Sequence, residues 1–492
     1  MNRRLVRRGP VAPRARIVLA ALAGLLTVAG CATYSAHNRS LRTDLVSGNF
    51  ATALETVEQN RSGRSLLLYW LERGLLLHYA DRWRESNGAF QQAEEIAADL
   101  YTKSISQRAL SLLTSDAAVD YRAAPFELVM VPYYRALNYV YLGDREGALV
   151  EARKAGLLLR QYTEQDLGRL GELDPDRDTS SDDLLGNDAF LHYLSALLYE
   201  WDGESNDAFI AYRNAAAAWH AEAGRLQTQA PPWLGADLVR SAGRLGFTEE
   251  LAQAREAFPE LFPAADSTTT AGAATAPESA GGGDVVVLLE LGFAPAKEQR
   301  EMNLPVLKTD RRDDRVRWAR DLRGRWRPDY RYDEAQLDYW LRVTVPELVS
   351  SPPAVTGARV SAGVAGGHAV AVTVDDIEGR AFVAFHAQEG AMWLRTIVRG
   401  LAKYGAKEQA DKAGKVAGLL ANLLGAATEQ ADTRGWLTLP NRIAMARLRL
   451  PPGRYDLRVD LLDAAGTTLR TDTIPDVIVR TADLALVSRR VF

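Results

Sequence analysis

A tight turn of one kind recurs through the first half of the chain: Gly48-Asn49-Phe50, Asp81-Arg82-Trp83, Gly143-Asp144-Arg145 and Gly203-Glu204-Ser205. A few residues past each turn stands a small or apolar pair, namely Ala53-Leu54, Ser86-Asn87, Ala148-Leu149 and Ala208-Phe209. One helical step further come Val57, Phe90, Ala152 and Tyr212, and Ala93 and Ala215 extend the stripe. Upstream, Trp70 and Gly74 precede Asp81, Ala136 and Tyr139 precede Gly143, and Ala196 and Tyr199 precede Gly203. Apolar residues three and four apart define one face of a helix. Two helices joined by so short a turn fold back on each other. A lone hairpin cannot bury its face, so consecutive hairpins must stack. The pattern assigns packing or turn roles to Trp70, Gly74, Trp83, Phe90, Ala136, Tyr139, Gly143, Ala148, Ala196, Tyr199, Gly203 and Ala208. A degenerate fifth hairpin is expected through residues 234–258, turning at Gly246.

These residues resemble the tetratricopeptide repeat, whose small residues let two antiparallel helices approach closely while bulky ones fill the groove. The spacing is irregular, because residues 101–126 and 167–188 intervene between units. The resemblance implies a decorated tetratricopeptide-like α-solenoid over residues 41–263. Stacked hairpins of this kind leave a concave surface, and such surfaces bind protein segments.

Residues 264–283 are rich in Ala, Thr, Ser and Gly, the composition of a flexible linker and a domain boundary. Beyond them the pattern turns to strands. Residues 284–290 form a continuous apolar run, and residues 341–349, 369–374 and 381–386 read as further strands. Residues 443–450 and 454–462 flank Pro451-Pro452-Gly453 and read as a hairpin. Residues 467–480 and 485–491 add two more strands. The expected fold is therefore α+β and multidomain: the solenoid, then a β-sandwich-like domain over 284–492, immunoglobulin-like or transthyretin-like. A helical hairpin is expected as an insertion at 388–431. Its first helix carries Leu394, Ile397, Val398 and Leu401 on one face and a basic stripe of Arg395, Arg399, Lys403 and Lys407. Packing on the sheet is the expected use of that hairpin, with an oligomer contact or a bilayer-surface contact as alternatives.

The amino terminus constrains location. Six arginines and no acid precede an apolar stretch at 17–27 that is too short to span a bilayer, and Val28-Ala29-Gly30-Cys31 follows. That run resembles the lipobox of bacterial lipoproteins, where the cysteine thiol takes a diacylglycerol. The resemblance implies a signal peptide at 1–30, an acylated Cys31 and a tether at 31–40. Ala32 in place of aspartate implies, by the same resemblance, export to the outer membrane, with the chain facing the periplasm and the membrane contacted through acylated Cys31. Acyl chains contribute about 0.8 kcal/mol per buried methylene. If no interface locks the halves together, the linker gives the β half the freer reach. Cys31 is the only cysteine, so no internal disulfide and no cysteine-based metal site is expected. The net charge of −4 becomes more acidic once the arginine-rich leader is removed, which argues against nucleic acid as a partner.

No catalytic constellation stands out. His37, His78, His192, His220, His368 and His386 form no metal-ligand spacing, and no nucleophile elbow or phosphate-binding loop occurs. Asp174, Asp176 and Asp178 alternate as calcium ligands can, but Thr179 and Leu185 stand where a calcium loop needs glycine and glutamate. No metal and no cofactor is expected. Residues 311–331 hold nine arginines among Trp318, Trp326 and Tyr330, with aspartates interspersed. Arg323, Arg325 and Arg327 beside Trp318 and Trp326 could grip an anionic glycan or an acidic partner. An exposed loop with internally paired charges is the alternative.

Beyond the hairpins, several stretches are similar to a family of functionally uncharacterised bacterial lipoproteins with tetratricopeptide-like repeats. They lie at 71–80, 86–94, 101–106, 136–154, 190–200 and 429–440, the last reading Glu-Gln-Ala-Asp-Thr-Arg-Gly-Trp-Leu-Thr-Leu-Pro. The resemblance implies an envelope lipoprotein, with cell-wall synthesis as the pathway it points to. The expected function is that of a non-enzymatic scaffold or adaptor for a periplasmic or envelope protein. Glycan or lipopolysaccharide binding is the alternative, and a cell-wall enzyme is a third reading.

Overall fold

The computed structural model describes residues 34–59, 61, 63–102, 119–173, 182–262, 281–307, 318–320, 326–328, 337–363, 367–413 and 431–492. The helical half runs α1 (Tyr34–Val46), α2 (Phe50–Gln59), α3 (Leu66–Tyr79), α4 (Trp83–Thr102), α5 (Pro125–Leu128), α6 (Met130–Tyr141), α7 (Arg145–Leu173), α8 (Asp182–Gly186), α9 (Ala189–Asp202), α10 (Ser205–Glu222), α11 (Leu234–Leu245) and α12 (Thr248–Ala257). Five hairpins are built as α1/α2, α3/α4, α6/α7, α9/α10 and α11/α12, each packed on the next. Helix α1 begins at Tyr34, inside the stretch read as tether.

One backbone device makes all five turns. Gly48, Gly143, Gly203 and Gly246 adopt φ of 70°, 72°, 90° and 71°, and Asp81 does the same work at 58°. Left-handed backbone is cheap for glycine and tolerated by aspartate. The residue after each turn residue donates its amide back to a carbonyl five residues earlier, as Asn49 does to Asp44, Arg82 to Leu77, Asp144 to Tyr139, Glu204 to Tyr199 and Phe247 to Ala242. These bonds satisfy carbonyls that a helix end leaves open. Close helix approach follows from the small residues. A Cβ on Gly74 would stand 2.6 Å from the Phe90 ring.

The second half holds β1 (Gly283–Leu291), β2 (Ala296–Leu307), β3 (Trp318–Arg320), β4 (Trp326–Pro328), β5 (Leu337–Val349), β6 (Gly357–Ser361), β7 (His368–Val370), β8 (Val372–Asp375), α13 (Ile377–Ala413), β9 (Arg442–Leu450), β10 (Gly453–Leu462), β11 (Thr468–Val479) and β12 (Leu484–Val491). Two four-stranded sheets, ordered β12-β1-β9-β8 and β11-β10-β6-β7, face one another. Between them lie Val285, Val287, Leu289, Ala446, Leu457, Val459 and Leu461. Among the described residues, strands β2 and β5 pair only with each other, as do β3 and β4. Leu341 and Val343 of the first ribbon pack under Ile397 of α13.

Three strand expectations are corrected. Residues 369–374, expected as one strand, are divided between β7 and β8, which belong to different sheets. Residues 381–386 belong to α13, which starts at Ile377, ahead of the expected 388. A short apolar run does not distinguish strand from buried helix. Asp376 decides the matter by accepting the Gly379 amide at 2.9 Å, an N-cap bond. Strands β9 and β10 are not a hairpin either: β9 pairs with β1 and β8, whereas β10 pairs with β11 and β6. Pro451-Pro452 carries the chain from one sheet to the other instead of turning it back beside β9. The face of α13 also differs from expectation. Ile397 is buried, but Leu394 and Val398 are exposed while Arg399 is buried.

The two halves share one core. Alternate residues of β1 point to opposite faces. Val285, Val287 and Leu289 face the second sheet, and Val286 and Leu288 face the helices. Burial on both faces accounts for the uninterrupted apolar run. Val286, Leu288, Ile443, Met445 and Leu486 join Tyr133, Tyr134, Phe190, Tyr193 and Trp219 in a single cluster. The chain's own sheet thus packs on the helical stack, and an interface locks the β half in place. The 264–283 linker call lies almost wholly outside the described residues, and so does most of the second helix expected within 388–431.

Candidate functional site

The seam between helices and sheet is lined by charged groups, each placed by a different element. Glu290 on β1, fully buried, accepts the hydroxyls of Tyr79 at 2.5 Å and Tyr133 at 2.8 Å. Burial, reinforced by the Glu290 charge, holds both phenols well above their ordinary range. Asp237 on α11 receives Arg447 of β9 at 2.8 Å, Tyr193 at 2.7 Å and Arg240 at 2.6 Å. Arg240 also reaches Glu200 at 2.7 Å. Burial works to raise the Glu200 carboxyl, but Arg240, Tyr212 and Arg244 hold it down at about 2.

A non-regular segment at 431–441 threads between the halves. Trp436 is 1% exposed and lies against Phe90 and Tyr134. Its amide donates to Glu127 at 2.7 Å, and Glu127 also accepts Tyr121 and the Ala124 amide. Arg434 bonds Asp432 and the carbonyls of Arg64 and Val119. Thr438 donates to Glu72. The Asp-Thr-Arg-Gly-Trp stretch singled out in the sequence is a bolt of the structure: Arg434 binds Asp432 and two backbone carbonyls, and the Trp436 amide reaches the Glu127 carboxylate.

Arg380 on α13 is the most enclosed cation of the seam. Its Nε donates to Asp375 at 2.9 Å and lies 3.3 Å from Asp188, and one Nη donates to Glu222 at 2.6 Å. The other Nη donates to the carbonyls of Leu184 and Asn187. Burial, with Asp188 beside it, pushes the Asp375 carboxyl up to about 8.

In front of this cluster an open cleft of about 610 Å³ runs between α7, α9 and α10. Ala152, Ala155, Gly156, Ser195, Ala211 and Ala217 give it small-residue surfaces. Leu157 on α7 and Ile210 on α10 stand on its walls, 60% and 40% exposed. Arg153, Arg160, Asp182, Asp183 and Asp207 supply charges of both signs. His192 lies in the lining with Nε2 2.7 Å from the Asn187 side chain. Burial, with Arg160 adding to it, lowers its imidazole to about 4, so it is neutral at pH 7. Small surfaces and apolar walls suit close approach by a peptide segment, and no nucleophile–base pair converges there.

The residues proposed from sequence fall as follows. Phe90, Ala136, Ala148, Ala196 and Ala208 are buried where helices meet. Gly74 sits against Phe90, and Tyr139 lies beneath Gly147. Gly143 and Gly203 make turns. Trp70 and Tyr199 are half-buried at the edge of the core, and Trp83 packs on Tyr141 at 5.1 Å. Cys31, Arg323 and Arg325 lie outside the described residues. Trp318, Trp326 and Arg327 are on the β3–β4 ladder, where Trp326 is opposite Arg320 and Arg327 opposite Ala319. Asp174, Asp176 and Asp178 lie outside the described residues, whereas Asp183 pairs with Arg225 at 2.8 Å. No acidic or histidine group fit to hold a metal occurs among the described residues. No described helix is long and apolar enough to cross a membrane. The seam residues Glu290, Asp237, Arg380 and Arg447 were missed. Glu290 alone carried a signal, an acid inside an apolar strand run.

No family model matches the chain, and no curated protein matches it significantly. Solved structures of repeat proteins do match over about half of it. MamA AMB-1 is 12% identical over 46% of this chain and 89% of its own, at a TM-score of 0.26. BtubC from P. vanneervenii is 14% identical over 51% of this chain and 91% of its own, at 0.28. The TPR2AB domain of yeast Sti1, in complex with pHSP90, is 11% identical over 46% of this chain and 95% of its own, at 0.19. Scores of that size leave the fold to be read from the residues themselves.

Proposed function

We propose that this chain is a lipid-anchored adaptor of the bacterial envelope. In this reading Cys31 is acylated, the anchor lies in the outer membrane, and the body faces the periplasm. The helical half is a decorated tetratricopeptide-like solenoid that works by holding a protein partner and not by catalysis, in the service of envelope or peptidoglycan assembly. The single observation that carries the binding role is the cleft between α7, α9 and α10, with small-residue surfaces and the exposed side chains Leu157 and Ile210 on its walls. The helical face against the sheet is filled by Val286, Leu288, Met445 and Leu486 and leaves no room for a partner peptide. That redirects the adaptor surface from the sheet-facing side of the solenoid to the cleft.

The test is affinity capture from envelope extract with a soluble Cys31→Ser form, beside the same form carrying Leu157→Glu and Ile210→Glu. Enrichment of one protein by the first and its loss with the second is the expected result. Equal capture by both forms overturns the cleft, and capture of no protein by either overturns the adaptor reading.

A further inference from the structure

We propose that Asp375, Asp188, Glu222 and Arg380 form a proton-operated clasp across the seam, which closes while the cluster holds one proton and loosens when that proton is lost. The inference stands on a count of donors and does not depend on the adaptor reading. Asp188 accepts the Leu191 amide at 3.0 Å through Oδ1, and its Oδ2 faces Arg380. Glu222 accepts the Ala189 amide at 3.1 Å and Arg380 through Oε1, and Thr228 at 2.9 Å through Oε2. Asp375 has Arg380 on Oδ1, but its buried Oδ2 has no hydrogen-bond partner among the described residues. One guanidinium faces three carboxylates, all nearly inaccessible to water. A proton on Asp375 Oδ2 reduces the excess negative charge that one guanidinium leaves uncompensated among three buried carboxylates, and it does so on the one oxygen that no donor neutralises among the described residues. The upward push on this carboxyl agrees with that placement.

The clasp joins the halves because its members do. Asp375 ends β8 and Arg380 lies in the first turns of α13, whereas Asp188 caps α9 and Glu222 closes α10. Beside them the Gln229 amide donates to the Thr373 carbonyl at 2.9 Å, and the Gln227 amide donates to Asp376 at 2.9 Å. Other titratable or charged groups beside the cluster, among the described residues, are paired or neutral. Asp376 holds the Gln227 and Gly379 amides, Glu378 lies near Arg442, and Asp183 pairs with Arg225. His192 is uncharged at neutral pH, and Arg160 bears on it from α7.

The experiment is denaturant unfolding of the purified protein at pH 6 to 9, compared with Asp375→Asn. Both are made in a Glu151→Gln background, because the Glu151 carboxyl is raised to about 7 and titrates in the same window. The folding constant of the Asp375 protein should fall by up to about tenfold per pH unit and level off near pH 9. Asp375→Asn should remove that decline. Parallel curves overturn the proposal. If Asp375→Asn does not fold, hydrogen exchange on the Glu151→Gln protein decides. After correction for intrinsic rates, protection at the Gln227 and Gln229 amides should fall with rising pH between 6 and 9. Protection at these two amides that holds or rises over that range overturns the clasp.

Discussion

Asp237 on the eleventh helix and Arg447 on the ninth strand stand 2.8 Å apart in the seam, with Tyr193 and Arg240 on the same carboxylate and Asp284 on the same guanidinium. Neither residue alone has a reason to be buried, and each makes the other's burial tolerable. Replacing Arg447 by methionine keeps the apolar stem and deletes the charge. The expected loss is about 3 kcal/mol, less than a full orphaned ion because Arg240 remains. Denaturant midpoints measure it, and the double variant with Asp237→Asn should recover part of the loss.

The helix turns make a second prediction. Gly203 at φ 90° has no Cβ to clash, so Gly203→Ala should cost about 1 to 2 kcal/mol although nothing lies within 4 Å of the new methyl. Asp81→Gly should go the other way by a few tenths of a kcal/mol, because glycine relieves a left-handed aspartate but also frees the unfolded chain. Thermal unfolding of the two variants should bracket the parent.

Packing of the second hairpin depends on one missing methyl. A Cβ on Gly74 meets the Phe90 ring at 2.6 Å, and the Gly74 carbonyl accepts Ser86 at 2.7 Å. Gly74→Ala should cost about 1 to 3 kcal/mol. In a Phe90→Leu background the same change should cost less, giving a coupling energy readable from a double-mutant cycle.

Acid should weaken the helical half through His192. Its imidazole is lowered to about 4 by burial, while in the unfolded chain it titrates near 6.5. The unfolded state binds the extra proton between those values. This contribution is therefore complete above about pH 6.5 and is lost as pH falls toward 4, at up to about tenfold in the folding constant per pH unit. The Asp375 proton works the other way over the same range, so His192→Gln should make stability fall less, or rise more, than in the parent as pH drops from 6.5 to 4, while the decline above pH 7 assigned to Asp375 stays.

Much of the helical half is legible because its signals are local. A left-handed turn needs glycine or a stand-in, and Gly48, Gly143, Gly203 and Gly246 stand where the chain turns. Strand β1 is legible from its valines, and β11 and β12 fall close to the expected 467–480 and 485–491. The seam is different in kind. Arg380 meets Glu222 across 158 residues and Arg447 meets Asp237 across 210, and no short-range pattern encodes such meetings. The hairpin read at Pro451-Pro452 failed for the same reason, since turn residues mark a reversal but not which sheet receives the next strand. The cleft could not be read at all, because Leu157 and Ile210 look in sequence like any helix apolar residue.

Gly186, Asn187 and Asp188 have two neighbours at once. They line the cleft on one side, and on the other the Asn187 carbonyl and the Asp188 carboxylate hold Arg380. Thermodynamic linkage makes such sharing reciprocal. A guest that shifts these three residues as it settles must change the proton affinity of the cluster, and the protons it takes up or expels equal the slope of its affinity against pH. Calorimetry in buffers of different ionisation enthalpy would then detect the guest's seat without any label on it.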